Sequence, residues 1–174
     1  MLRIAVCDDE EQYVQQTANF VQEYLRRHPE LSGQVHTFQR GQELLCQVEE
    51  DGGFDLYLLD IIMPGLNGIQ TGQQLRELGN GGEIIYLTTS SDYAVDSYSV
   101  RAFFYLLKPI EQERLFEVLD AAVKKLSHRR QKAVLITTRE GPRRILLDQI
   151  LYVERVGRSL RYYCSNGTVD SMIP

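Results

Sequence analysis

The chain has 174 residues, 43% of them hydrophobic and 25% charged, which is enough apolar content for one large domain or two small ones. No apolar run approaches the ~20 residues of a membrane span, and acids arrive by Asp8, too early for a signal peptide. Three cysteines, odd in number and without metal spacing, lead to the expectation of a reducing cytoplasm.

The net charge of −5 is unevenly spread. Residues 1–126 hold 10 Lys/Arg against 20 Asp/Glu, while residues 127–174 hold 9 against 4. An acidic front and a basic tail suggest two modules with different partners.

In chain order, Arg3 to Cys7 reads as a first strand, ending on Asp8-Asp9-Glu10-Glu11. Val14, Ala18, Val21 and Leu25 then mark one face of a helix, closed by Pro29 and Gly33. Val35–Phe38 is a second strand, and Gly41–Glu50 a short helix with Leu44, Leu45 and Val48 inward. Asp55 to Gly65 is the most informative stretch. Leu56 to Leu59 is apolar throughout, as in a strand covered on both faces, and it stops on Asp60 before a Pro64-Gly65 turn.

A third helix follows over Asn67–Leu78, then a fourth strand, Ile84–Thr88. Asp92 is placed to cap a fourth helix carrying Ala94, Val95 and Tyr98. Phe103–Leu107 is a fifth strand, ended by Lys108-Pro109, and Glu111–Leu126 a fifth helix with Leu115, Val118, Leu119 and Val123 on its stripe. Five strand–helix units imply right-handed crossovers and a flavodoxin-like parallel sheet of order 2-1-3-4-5.

Ser127 to Lys132 is polar and basic and reads as a linker. Beyond it the periodicity changes to short strands, Ala133–Thr138, Arg143–Leu147, Ile150–Glu154, Leu160–Cys164 and Thr168–Ile173. Turn signals at Glu140-Gly141-Pro142 and Ser165-Asn166-Gly167 separate them. The expected organisation is therefore residues 1–125, a linker at 126–132 and a small all-β unit at 133–174. A unit that small buries little surface, so we expect it either to pair an exposed strand edge with another chain or to be poorly ordered. We also expect the chain to stop inside its second domain.

In the expected sheet order, Asp8, Asp9, Asp60, Thr88 and Lys108 all fall at one end of successive strands. Each has an ordinary reading alone. Asp8 and Asp9 are favoured helix caps, Thr88 suits any strand, and a lone Lys is usually a solvated charge. Together they form a constellation. Clustered carboxylates repel unless a cation joins them, and hard oxygens at an open edge suit Mg²⁺, with the Ile62 carbonyl as a further ligand. A carboxylate nucleophile beside a metal and a Lys is equipped to accept a phosphoryl group.

Cys7-Asp8-Asp9-Glu10, Leu58-Leu59-Asp60-Ile61-Ile62-Met63-Pro64-Gly65-Leu66-Asn67-Gly68, Ile84–Thr88 and Tyr105–Pro109 together resemble the receiver domain of two-component response regulators. The resemblance implies that a sensor histidine kinase phosphorylates Asp60. It implies that Asp9 and Asp60 hold Mg²⁺ directly and that Asp8 helps through water. Lys108 would contact the phosphoryl oxygens and form a cis bond with Pro109, an arrangement open mainly to X-Pro bonds. Thr88 would turn towards the phosphoryl group and Tyr105 would change rotamer with it.

Leu147 to Glu154, followed by the Asn166-Gly167 turn, resembles the start of a LytTR-type DNA-binding domain. This implies a cytoplasmic transcription regulator without a membrane span. Its receivers would pair through the fourth helix, fifth strand and fifth helix, and its basic tails would grip DNA. Arg155, Arg158 and Arg161, around one strand-to-strand turn, are the candidate phosphate contacts, with a solvated loop as the alternative. One alternative function is an interaction module whose output is protein binding. Another is an aspartyl-nucleophile phosphohydrolase, which would need an acid where Ile62 stands. The expectation is therefore a phosphoacceptor with at most slow self-catalysed turnover.

Overall fold

The computed structural model describes residues 1–90 and 100–172. It divides into two compact units, Met1–Ala122 and Val123–Pro174.

In the first unit, strands β1 (Leu2–Cys7), β2 (Gly33–Phe38), β3 (Leu56–Asp60), β4 (Glu83–Thr88) and β5 (Phe104–Leu107) form one sheet of order β2-β1-β3-β4-β5. Each neighbouring pair is parallel. Between the strands run α1 (Glu11–Arg27), α2 (Gly41–Asp51) and α3 (Gly68–Glu77). Helix α4 (Gln112–Gln131) follows β5. The helix expected around Asp92, Ala94, Val95 and Tyr98 lies outside the described residues.

Because side chains alternate along a strand, β3 serves two cores. Tyr57 and Leu59 join Ala5, Cys7, Ile84 and Tyr86 in a buried cluster with Leu44, Leu45 and Val48 of α2 and Ile69 and Leu75 of α3. Ile4, Val6, Leu56, Leu58, Ile85 and Leu87 alternate with these and are equally buried. Helices α1 and α4 meet where Tyr24 Oη donates to Asp120 Oδ1 at 2.8 Å, beside the Phe116 ring. A core on both faces is why β3 and β4 are apolar without alternation.

The fifth helix extends past its expected end. Residues 127–131, expected as linker, are the last turns of α4. No Gly or Pro lies between Pro109 and Gly141, and Arg, Gln and Lys are good helix formers. Leu126 is buried.

The second unit holds β6 (Ala133–Thr138) paired antiparallel with β7 (Gly141–Leu146), and β8 (Ile150–Val156), β9 (Ser159–Cys164) and β10 (Gly167–Met172) in a sheet of order β10-β9-β8. A 3₁₀ turn, Leu147–Gln149, leads into β8. Ile136, Ile145, Cys164 and Val169 form its small core, with Val134, Ile150 and Tyr162 against it. Within that sheet β8 is an edge strand, and Leu151 (68% exposed), Tyr152, Val153 and Val156 on it face solvent.

Candidate functional site

The parallel register builds the site. Cys7 aligns with Leu59, Asp60 with Leu87 and Thr88 with Leu107, so Asp8, Asp60, Thr88 and Lys108 end successive strands at one edge. Asp8, Asp9 and Asp60 each bring a carboxylate oxygen to within 4.8 Å of the others. Asp8 and Asp60 are buried and Asp9 is exposed. A buried ammonium joins them, since Lys108 Nζ lies 2.6 Å from Asp8 Oδ2 and 2.9 Å from Asp60 Oδ2. Three carboxylates and one ammonium leave two formal negative charges, matching a divalent cation. The donors are hard oxygens, so the residues present fit Mg²⁺.

Backbone groups fix these side chains. Asp8 Oδ1 accepts from Glu10 N at 3.1 Å, and Asp60 Oδ1 accepts from Ile62 N at 3.2 Å. The helix-cap reading of the acid pair gives way here, because Glu10 is the N-cap of α1 and no side chain caps that end. Lys108 N donates to Thr88 O at 2.8 Å, tying the ends of β4 and β5 together, and the Lys108–Pro109 bond is cis. Thr88 is fully buried, and its Oγ1 accepts from Ser90 N at 3.4 Å. Tyr105 Oη donates to Ser90 O, so Thr88 and Tyr105 meet the same loop residue.

Burial lifts the Asp8 carboxyl above the usual carboxylate range, and the bond to Lys108 only partly opposes it. Burial also pulls the Lys108 ammonium down, but its bonds to Asp8 and Asp60 more than offset this and hold it charged. An open cleft of about 630 Å³, walled by Gln39–Gln42 and Pro64–Leu66, reaches Asp9 from solvent and gives small molecules a way in.

Two residues at the site have roles that the sequence alone did not assign, Tyr13 and the Gly68 of the Leu58–Gly68 motif. The Tyr13 ring lies 4.1 Å from Lys108 Nζ, a contact legible only once the fold brings the first turn of α1 to the residue after β5. Gly68 lies against the Asp60 backbone. Its signal is the Asn67-Gly68 pair, of which Asn67 caps α3 in a capping box with Gln70.

The three tail arginines do not converge. Arg161 makes a two-pronged ion pair with Asp170, at 2.7 and 3.0 Å. Arg155 donates to Gly157 O at 3.2 Å and, next to Glu154 which pairs with Arg161, points to the opposite face of the sheet. Arg158 sits in the exposed β8–β9 turn. A cleft of about 360 Å³ in this unit instead gathers Arg139, Arg143 and Arg161 around Glu140 and Asp170. Among the described residues no helix is long and apolar enough to cross a membrane.

Residues 4–120 match the response regulator receiver domain, and the chain belongs to that family. More particularly, it is a two-component response regulator similar to the LytT and LytR proteins. It is 28% identical over 151 residues to the sensory transduction protein LytT of Oceanobacillus iheyensis, covering 76% of this chain and 61% of that protein. It is 30% identical over 128 residues to the sensory transduction protein LytR of Streptococcus agalactiae, covering 72% of this chain and 49% of that one. The chain thus spans about half to three-fifths of the length of these two relatives.

Among solved structures, the response regulatory domain of protein mrkE from Klebsiella pneumoniae superposes with a TM-score of 0.63 at 21% identity, covering 73% of this chain and 99% of that one. That likeness speaks to fold alone. The response regulator TrrA from Thermotoga maritima, solved in complex with Mg(2+)-BeF, superposes with a TM-score of 0.60 at 29% identity, covering 70% and 99%.

Proposed function

We propose that a sensor histidine kinase phosphorylates this chain on Asp60, and that the phosphoryl group shifts a two-state receiver controlling a LytTR-type DNA-binding output. The observation that carries the reading is the convergence of Asp8, Asp9 and Asp60 within 4.8 Å, joined by a buried Lys108. Asp8, Asp9, Asp60 and the Ile62 carbonyl are the residues that would hold Mg²⁺. When bound there, Mg²⁺ would supply positive charge against the phosphoryl oxygens. That TrrA was solved in complex with Mg(2+)-BeF supports Mg²⁺ binding by this chain as well.

In the transfer, an Asp60 carboxylate oxygen attacks phosphorus and the donor leaves with its electron pair, giving an acyl phosphate. Lys108 moves from the Asp60 carboxylate to a phosphoryl oxygen. Thr88 turns its hydroxyl inward and Tyr105 follows, since both contact Ser90. Ile62, at 47% exposure, stands where a phosphohydrolase would carry an acid, so the site holds a phosphoryl group and turns it over slowly.

Residues 1–125 act as the receiver and the β-rich unit from residue 133 as the start of the effector. The phosphorylated receivers pair, and the basic tails meet DNA phosphates in the cytoplasm. Arg158, Arg139 and Arg143 are better placed for this than Arg161, which Asp170 neutralises. A second reading, protein binding as the output, draws on the exposed Leu151, Tyr152 and Val153 of β8.

Titrating the chain and a longer parent with beryllofluoride and Mg²⁺, following oligomeric mass and DNA binding together, tests the proposal. Phosphoryl-dependent pairing with a gain in DNA affinity is expected. Pairing without any DNA affinity in the parent would favour the protein-binding output.

A further inference from the structure

We propose that Tyr13 is a positioning residue that holds the Lys108 ammonium against Asp8 and Asp60 through the face of its ring. Lys108 Nζ lies 4.1 Å from the ring centroid, within the ~6 Å over which an aromatic face attracts a cation. Two other contacts of the ammonium go to Asp8 Oδ2 at 2.6 Å and Asp60 Oδ2 at 2.9 Å, and the lysine side chain is only 1% exposed. Water therefore contributes little around the charge, and an aromatic face acts most strongly on a desolvated cation.

The backbone that carries the ring is held in the first turn of α1. Tyr13 N donates to Glu10 O at 2.9 Å, so the backbone of Tyr13 is tied to the segment that presents Asp8 and Asp9. A lysine is a point charge on a flexible four-carbon stem, and its carboxylate partners alone do not fix it when one of them is modified. On phosphorylation of Asp60 the ammonium must exchange a carboxylate oxygen for a phosphoryl oxygen. A ring face tolerates that small movement while keeping the charge at the site, because its attraction is less directional than a hydrogen bond.

The kinetic part of this inference rests on the reading of Asp60 as phosphoacceptor, and the test separates the two. Tyr13→Phe keeps the ring face and removes the hydroxyl, while Tyr13→Leu and Tyr13→Met keep apolar cover and remove the face. By proton NMR, the Lys108 ε-methylene signals are expected upfield in the wild type and in Tyr13→Phe, shifted by the ring current, and at ordinary positions in the other two. With saturating Mg²⁺ and phosphoramidate, Tyr13→Phe is expected to label at near the wild-type rate. Tyr13→Leu and Tyr13→Met are expected to label about fivefold to thirtyfold more slowly, the range from an exposed to a desolvated cation–ring contact, with the donor KM little changed.

Wild-type rates in a folded Leu or Met variant would overturn the proposal. So would a Phe variant as slow as the Leu variant, which would assign the effect to the hydroxyl. If the wild type itself takes no label, the phosphoacceptor reading fails. The Lys108 proton shifts then decide the positioning role alone, and unshifted signals in the wild type overturn it.

Discussion

A Cβ added at Gly68 would lie 2.1 Å from the carbonyl oxygen of Asp60 and 2.8 Å from Cα of Ile61. Both are backbone atoms at the end of the strand that presents the acid, so neither can yield without moving Asp60. Gly68→Ala is expected to destabilise the fold by about 1–3 kcal/mol, the usual cost of overpacking, and to weaken Mg²⁺ binding, as denaturant melts and metal titration would read. At Asp9 the balance differs. On the proposed Mg²⁺ site, removing one of three clustered acids would lose a metal ligand and would also relieve repulsion. Asp9→Ala should therefore weaken Mg²⁺ binding while raising the melting temperature without metal, and unchanged Mg²⁺ affinity would exclude Asp9 as a ligand. Burial, reinforced by the charge of Asp8, pushes the Cys7 thiol up from 9.0 to about 12. A raised pKa in the fold means stability is fully present below pH 9 and declines above it, as the unfolded chain releases a proton the folded chain keeps. Cys7→Ala should show a shallower loss of stability between pH 9 and 11 than the wild type, measured by urea unfolding.

At the scale of elements, the sheet was readable because β1, β3 and β5 each end at a residue of distinct chemistry. Cys7 before Asp8, Leu59 before Asp60 and Leu107 before Lys108 mark both register and edge. The α3 start was readable from Asn67, and Asn67→Ala should cost about 1 kcal/mol, since it breaks the reciprocal bonds with Gln70. The end of α4 was misread because a polar, basic run looks like a linker when its helical continuity carries no apolar stripe. Ser127→Pro separates the two readings. In a helix it should cost about 3 kcal/mol and reduce helical circular dichroism, while a linker would absorb it unchanged. Tyr13 was hidden for another reason. Its value depends on a contact between α1 and the residue after β5, and no local pattern spans that distance in sequence.

The molecule as a whole joins a receiver unit to a β-rich unit of opposite charge balance. The Arg155, Arg158 and Arg161 grouping could not be settled from sequence, because alternation along β8 and the Asp170 partner of Arg161 appear only with strand pairing. In the second unit Cys164 is buried against a core of few residues, while Cys46 on α2 is exposed. Alkylation of the native chain should therefore modify Cys46 rapidly and leave Cys7 and Cys164 protected, and rapid modification of Cys164 would show that the small core opens easily. The proposed phosphotransfer depends most on Asp60 as the acid that takes the phosphoryl group. Incubating wild type and Asp60→Asn with phosphoramidate and following intact mass tests this most directly. The wild type should gain one acid-labile phosphoryl group, only while Mg²⁺ is present, and Asp60→Asn, folded alike, should gain none. Equal labelling of the two proteins, or labelling indifferent to removal of Mg²⁺, would contradict it.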